Sequence, residues 1–183
     1  ERRQVFLERV PNNRATLFED EDSSHANIFK LVDVLGQRQG RVAMTELRHL
    51  LDQPGQDPFS IFALVAAEEA IVSANINLSK IDLHRVGVII GTGIGGINTL
   101  EEQKTVLLNR GPRRVSPFFV PKMIANIAAG QVAIKWGLKG PNQTITTACS
   151  SATDAIGIAT RLIQSDDADI IVTGGSEASI TPL

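Results

Sequence analysis

The 183-residue chain has no tyrosine, one tryptophan and seven phenylalanines. So few aromatic faces provide no stacking platform for bases or sugars. Lysine and arginine number 18 against 20 aspartates and glutamates, a formal charge of −2. That balance excludes a general hold on a nucleic-acid backbone. A single cysteine, Cys149, excludes an intramolecular disulfide and fits a reducing compartment. Apolar runs such as residues 61–67 fall far short of the ~20 residues a membrane helix needs. Residues 1–8 hold no apolar core of signal-peptide length, so neither secretion nor membrane insertion is expected. What the chain does have is glycine, 15 of them, within a composition that is 43% hydrophobic. Such a composition favours close backbone approach.

The two ends of the chain differ in texture. Residues 1–57 are polar and read as a small helical or irregular segment. An acidic cluster, Glu19-Asp-Glu-Asp22, precedes Ser23-Ser24, as in a solvated loop leading to a helix cap. The spacing of Ile28, Leu31, Val32 and Leu35 predicts a helix over 26–35. Thr45 caps a second over 46–53, and Pro54-Gly55 ends it. Between them, residues 35–46 have the glycine and final glutamate of a calcium loop. Leu35, Gln37 and Gln39 stand where carboxylates are required, so no metal is expected.

Residues 58–183 alternate helix and strand. Helices are predicted over 60–74, 99–109, 122–136 and 150–164. Strands are predicted over 85–90, 144–147 and 168–173, with 117–121 extended or turning. The strands at 85–90 and 168–173 are continuous apolar runs closed by glycines. That pattern argues an α/β fold, a mainly parallel sheet covered by helices on both faces.

Two motifs bear on chemistry. Gly91-Thr-Gly-Ile-Gly-Gly96 follows a strand and precedes a helix, as in dinucleotide-binding proteins. The glycine spacing is wrong for that motif, and no acidic residue ends a second strand ~20 residues on. No cofactor is expected. The glycines are read as a close-packed turn near a ligand or a neighbour. Cys149 lies in Thr144-Ile-Thr-Thr-Ala-Cys-Ser-Ser-Ala-Thr-Asp154, which reads as strand, sharp turn and helix. A thiol where a helix begins meets unpaired N–H groups that favour a thiolate, and small neighbours leave room for a carbonyl. The geometry follows the logic of the nucleophile elbow of hydrolases, with sulfur for oxygen. The alternative is an inert thiol packed at a strand end. The three histidines, His25, His49 and His84, stand in no telling context.

From about Phe59 to Leu183 the chain resembles the β-ketoacyl-acyl-carrier-protein synthases, in particular the type II elongating synthases of bacterial and organellar fatty-acid synthesis. The blocks that carry the resemblance are Phe62-Ala-Leu-Val-Ala-Ala-Glu-Glu-Ala70, Gly91-Thr-Gly-Ile-Gly-Gly96, Gly111-Pro-Arg-Arg-Val-Ser-Pro-Phe-Phe-Val-Pro121, Gly137-Leu-Lys-Gly-Pro141, Thr147-Ala-Cys-Ser-Ser-Ala152 and Gly174-Gly-Ser-Glu-Ala178. The resemblance implies the N-terminal half of a thiolase-like fold and a cytoplasmic or organellar-matrix location. It implies that Cys149 takes an acyl chain from acyl carrier protein as a thioester, with its backbone N–H in the oxyanion hole. A malonyl thioester is then decarboxylated, and its carbanion attacks the acyl carbonyl. Ile94 falls at the acyl-pocket position. Phe119 falls at the interface of a homodimer, closing the neighbouring subunit's pocket. The strand before Cys149 would pair with its twin across the dimer axis. Arg113 and Arg114 match positions that meet the acidic carrier.

The family's catalytic histidines and lysine follow its cysteine, whereas residues 150–183 contain neither residue type. The chain alone is therefore expected to be incomplete for condensation. Two other readings stay open. One is a non-catalytic scaffold or partner-binding module; the other is a ketosynthase of polyketide type.

Overall fold

The computed structural model describes residues 57–182. The helices expected over 26–35 and 46–53, and the 35–46 loop, lie outside the described residues. Helix α1 spans Pro58–Ser73. Asp57 caps it: its Oδ1 accepts from the N–H of Phe59 at 3.3 Å, and Pro58 occupies the first helical position, where a missing N–H costs nothing. Two single 3-10 turns, Leu78–Lys80 and Leu83–Arg85, lead into strand β1, Val86–Gly91. Helix α2 spans Ile97–Arg110, short helix α3 Phe119–Met123 and helix α4 Ile127–Trp136. Strand β2, Asn142–Ile145, helix α5, Ser151–Gln164, and strand β3, Ile170–Gly175, complete the order.

The three strands form one parallel sheet in the order β2-β1-β3. Strand β1 is buried along its whole length, as its β-branched sequence requires. Val86, Val88 and Ile90 point to one face, where Phe59, Leu64, Ala129 and Val132 of α1 and α4 cover them. Ile89 points to the other face, against Ala155 and Ala159 of α5. The expected α/β arrangement, with helices on both faces, is therefore observed. The path from β1 to β2 runs on one side of β1, and α5 then carries the chain across to β3 on the other. This reversal opens a crevice at the carboxyl ends of the strands, where ligands bind in open α/β sheets.

Several local features differ from the sequence reading: strand β3 starts two residues later than expected, and the 117–121 segment turns into helix at Phe119. The predicted helix over 122–136 is broken, because Ile124 is extended and the Met123 carbonyl accepts the N–H of Gly96 instead of continuing a helix. Strand β2 begins two residues earlier than predicted, at polar Asn142, because an exposed edge strand carries no hydrophobic signature. Helix α1, nearly apolar all round in sequence, leaves Val72 51% exposed and buries Glu68 instead. Lys135 of α4 pairs with Glu68 at 2.7 Å, both side chains nearly buried, which makes the charge tolerable there.

Asp57 ties α1 to α2. Its Oδ2 accepts from the backbone N–H of Thr99 at 2.9 Å and from the Thr99 hydroxyl at 2.7 Å, and the carboxylate is 1% exposed. Asp57→Ala strands those donors in a dry site. We expect a loss of about 2–3 kcal/mol, read as a lower denaturant midpoint with an unchanged slope. A midpoint within error of the wild type would contradict this accounting.

Candidate active site

The carboxyl ends of all three strands meet in one open cleft of about 510 Å³. Gly91, Thr92, Gly93 and Ile94 line it after β1; Ala148 and Cys149 after β2; Gly175, Ser176 and Glu177 after β3. Cys149 is exposed, so it is not packed at a strand end.

The turn carrying the thiol is tightly built. Residues Ala148–Ser150 form a single 3-10 turn that runs straight into α5. Ala148 has φ of 53°, left-handed backbone that costs a non-glycine residue roughly 1–2 kcal/mol. Ser151 holds this conformation: its hydroxyl donates to the Ala148 carbonyl at 2.6 Å and accepts the Thr147 N–H at 2.9 Å. The first hydrogen bond of the turn runs from the Ser150 N–H to the Thr147 carbonyl at 3.2 Å. The N–H of Cys149 precedes it at the amino end of the turn, where donors lack intrahelical partners.

Glycines allow the strands to brace this turn. A Cβ on Gly91 would lie 2.3 Å from the Ser151 carbonyl oxygen, and one on Gly175 would lie 2.6 Å from the Ala152 Cβ. The ends of β1 and β3 thus press directly on the first turn of α5. The close neighbour that the glycine-rich turn was read to approach is, at Gly91, the backbone behind the cysteine.

The structure brings Ile94 and Cys149 to the same cleft, and Ile94 is 56% exposed. Phe119 is half-buried in α3 and does not line the cleft, while its neighbour Phe118 is 65% exposed. Arg113 and Arg114 lie exposed on the 3-10 turn Pro112–Arg114, also apart from the cleft. Among the described histidines there is only His84, in the turn before the amino end of β1, at the opposite end of the strand from the cleft. Among the described residues no His, Cys, Asp and Glu cluster fits a metal ion, and no helix is long and apolar enough to cross a membrane.

Sequence reasoning missed Glu177 as a site residue. Its Oε2 accepts from the N–H groups of Gly93 at 2.7 Å and Ile94 at 3.0 Å, and from the Thr92 hydroxyl at 3.3 Å. The available signal was its place two residues after the glycines that close β3. Asp154 was also passed over: its carboxylate accepts from the Thr147 and Ser150 hydroxyls beside the cysteine turn.

This arrangement, an exposed thiol on a strained turn between a parallel sheet and a helix, places a potential nucleophile at the mouth of the cleft. The family model for the β-ketoacyl synthase N-terminal domain matches residues 42–183, and the chain belongs to that family. The match begins within the 1–57 segment that the sequence reading set apart. Among particular proteins, the chain is 49% identical over 127 residues to 3-oxoacyl-[acyl-carrier-protein] synthase 2 of Synechocystis sp., covering 69% of this chain and 30% of that one. It is likewise 49% identical over 125 residues to the Staphylococcus aureus protein of that name, covering 68% of this chain and 31% of the relative. The chain thus spans about a third of the length of these relatives.

Solved structures agree on the fold. A type II PKS acyl-carrier protein in complex with its ketosynthase bound to the hexaketide is similar at 27% identity and a TM-score of 0.67, covering 69% of this chain and 37% of that one. A β-ketoacyl synthase from Burkholderia phymatum is similar at 25% identity and a TM-score of 0.54, covering 62% of this chain and 28% of that one. The fold is that of the N-terminal, thiolase-like half of a ketosynthase.

Proposed function

We propose that this chain supplies the nucleophile of a fatty-acid-elongating β-ketoacyl-acyl-carrier-protein synthase. The observation that carries the reading is Cys149 on its strained turn, open to a cleft walled by Ile94. The Cys149 thiolate attacks the carbonyl carbon of an acyl thioester. The backbone N–H of Cys149 donates to the oxyanion of the tetrahedral intermediate. Collapse expels the carrier's thiolate, which takes up a proton, and leaves the acyl group on Sγ. Decarboxylative Claisen condensation with malonyl-acyl carrier protein belongs to the whole protein. No cofactor is part of this scheme.

Acyl carrier protein is the donor in this reading, and a ketosynthase similar to this chain is seen in complex with one. Arg113 and Arg114 form the docking patch for its acidic surface. The protein acts as a homodimer in the cytoplasm or an organellar matrix. The edge position of β2 and the exposed Phe118 and Val120 support the dimer, with Phe119 at its interface closing the partner's pocket. The resemblance to a PKS ketosynthase favours a second reading, a polyketide substrate, but the higher identity to the 3-oxoacyl synthases favours fatty-acid elongation.

The test is to incubate the full chain with a saturated acyl-acyl carrier protein and weigh it intact. One acyl group per chain is expected; none overturns the reading. The double variant Arg113→Glu, Arg114→Glu should slow this transfer about tenfold at low salt, with the difference fading at high salt. Equal rates at low salt would remove these arginines from the docking surface.

A further inference from the structure

We infer that Glu177 is a positioning residue that sets acyl-chain selectivity by holding the glycine-rich turn, and with it Ile94, against the cleft beside Cys149. The inference rests on the proposed acyl transfer and adds a determinant that the fold of the turn alone does not supply.

The second half of the turn packs closely on the backbone of residues 122–125 through Gly95 and Gly96, whereas Gly93 and Ile94 lack such a support. Residues 92–96 lie outside any helix or strand, and glycine at three of these positions gives it wide conformational freedom. Its two ends are fixed. The Thr92 N–H donates to the Ile145 carbonyl at 3.1 Å, extending the contact with β2. The Gly96 N–H donates to the Met123 carbonyl at 3.0 Å, and Asp57 anchors the start of α2 at Thr99. Between those ends, Gly93 and Ile94 both donate to the single oxygen Oε2 of Glu177. Two consecutive N–H groups converging on one carboxylate oxygen form a charge-assisted clamp, stronger than neutral hydrogen bonds. Glu177 lies two residues beyond the end of β3, and Ser176 between them is tied down on both sides: its N–H donates to the Gly91 carbonyl at 3.0 Å and its hydroxyl to the Phe59 carbonyl at 2.5 Å, so the clamp is anchored next to the sheet. The side chain of Ile94 is more than half exposed, so packing does not fix its position; its backbone does. The carboxylate therefore decides where the wall of the acyl cleft stands relative to the sulfur.

The experiment compares the rates at which the full chain takes butyryl and myristoyl groups from their acyl-carrier-protein thioesters. The wild type is expected to discriminate between the two. Glu177→Ala removes the acceptor, and Glu177→Asp withdraws it by one methylene. Both should move the rate ratio toward one by roughly tenfold, the worth of hydrogen bonds to a charged group. Glu177→Gln keeps an oxygen for the two N–H groups and should stay within about threefold of the wild-type ratio. A merely structural role would lower both rates together and leave the ratio unmoved. If the alanine variant does not fold, the contrast between aspartate and glutamine decides. An unchanged ratio in the aspartate variant, a ratio lost equally in the glutamine variant, or a wild type without selectivity overturns the inference. A wild type that takes no acyl group at all instead overturns the proposed acyl transfer, so the two failures are told apart.

Discussion

Cys149→Ala abolishes acyl uptake: this is the largest effect the account predicts. In the proposed transfer the sulfur is the atom that forms the new bond, and removing a nucleophile typically costs a thousandfold or more in rate. The sequence sharpens the expectation, because Cys149 is the only cysteine among 183 residues. No other side chain can form a thioester, so no adduct labile to neutral hydroxylamine should appear on the alanine variant at any time. Fold and stability should be nearly untouched, since the thiol is exposed and Ser151, not Cys149, holds the turn. An alanine variant that acquires a labile acyl group as fast as the wild type would remove Cys149 from the chemistry. A variant that unfolds would show that the thiol is structural.

Gly91→Ala should have the second largest effect, and on two quantities at once. The added Cβ would sit 2.3 Å from the Ser151 oxygen and 2.4 Å from its carbonyl carbon, both backbone atoms that no rotamer change can move. Overpacking of this kind costs about 3 kcal/mol, or roughly 10 °C in Tm. Relief requires the first turn of α5 to shift, and Cys149 immediately precedes it. A displacement on the order of 1 Å at a reacting atom costs about a hundredfold in rate. Acyl uptake per folded molecule should therefore fall about that far. Wild-type uptake and stability in Gly91→Ala would mean that the strand end does not brace the cysteine turn. A loss of stability alone would uncouple the packing from the chemistry.

These two predictions also mark where the sequence was legible. Strand β1 and helix α5 were readable because a β-branched run closed by glycine, and a long stretch of small and apolar residues, are local signals. The cysteine turn was readable for the same reason: strand, small residues and helix follow one another directly in the chain. The strain at Ala148 was not readable, because alanine carries no sign of left-handed backbone; Ser151 imposes it. Glu177 was passed over as a site residue because its partners Gly93 and Ile94 lie 84 and 83 residues away, and an exposed acid in a loop resembles any solvated charge. Asp57 fell at the supposed domain boundary and was counted with the polar segment. The pair Asp57-Pro58 is nonetheless a helix-start signature that the sequence does contain. The break in the 122–136 helix came from a tertiary contact, Gly96 with Met123, that no helical periodicity encodes.

The proposed chemistry comes down to one sulfur, presented by a braced turn, that receives an acyl group. Its most direct test is tandem mass sequencing of the peptide around residue 149 after the full chain has been loaded with a saturated acyl thioester. The account predicts a single acyl group on Cys149, released by neutral hydroxylamine. An unmodified Cys149 with the acyl group on a lysine or serine elsewhere, or no acyl group at all, would contradict it.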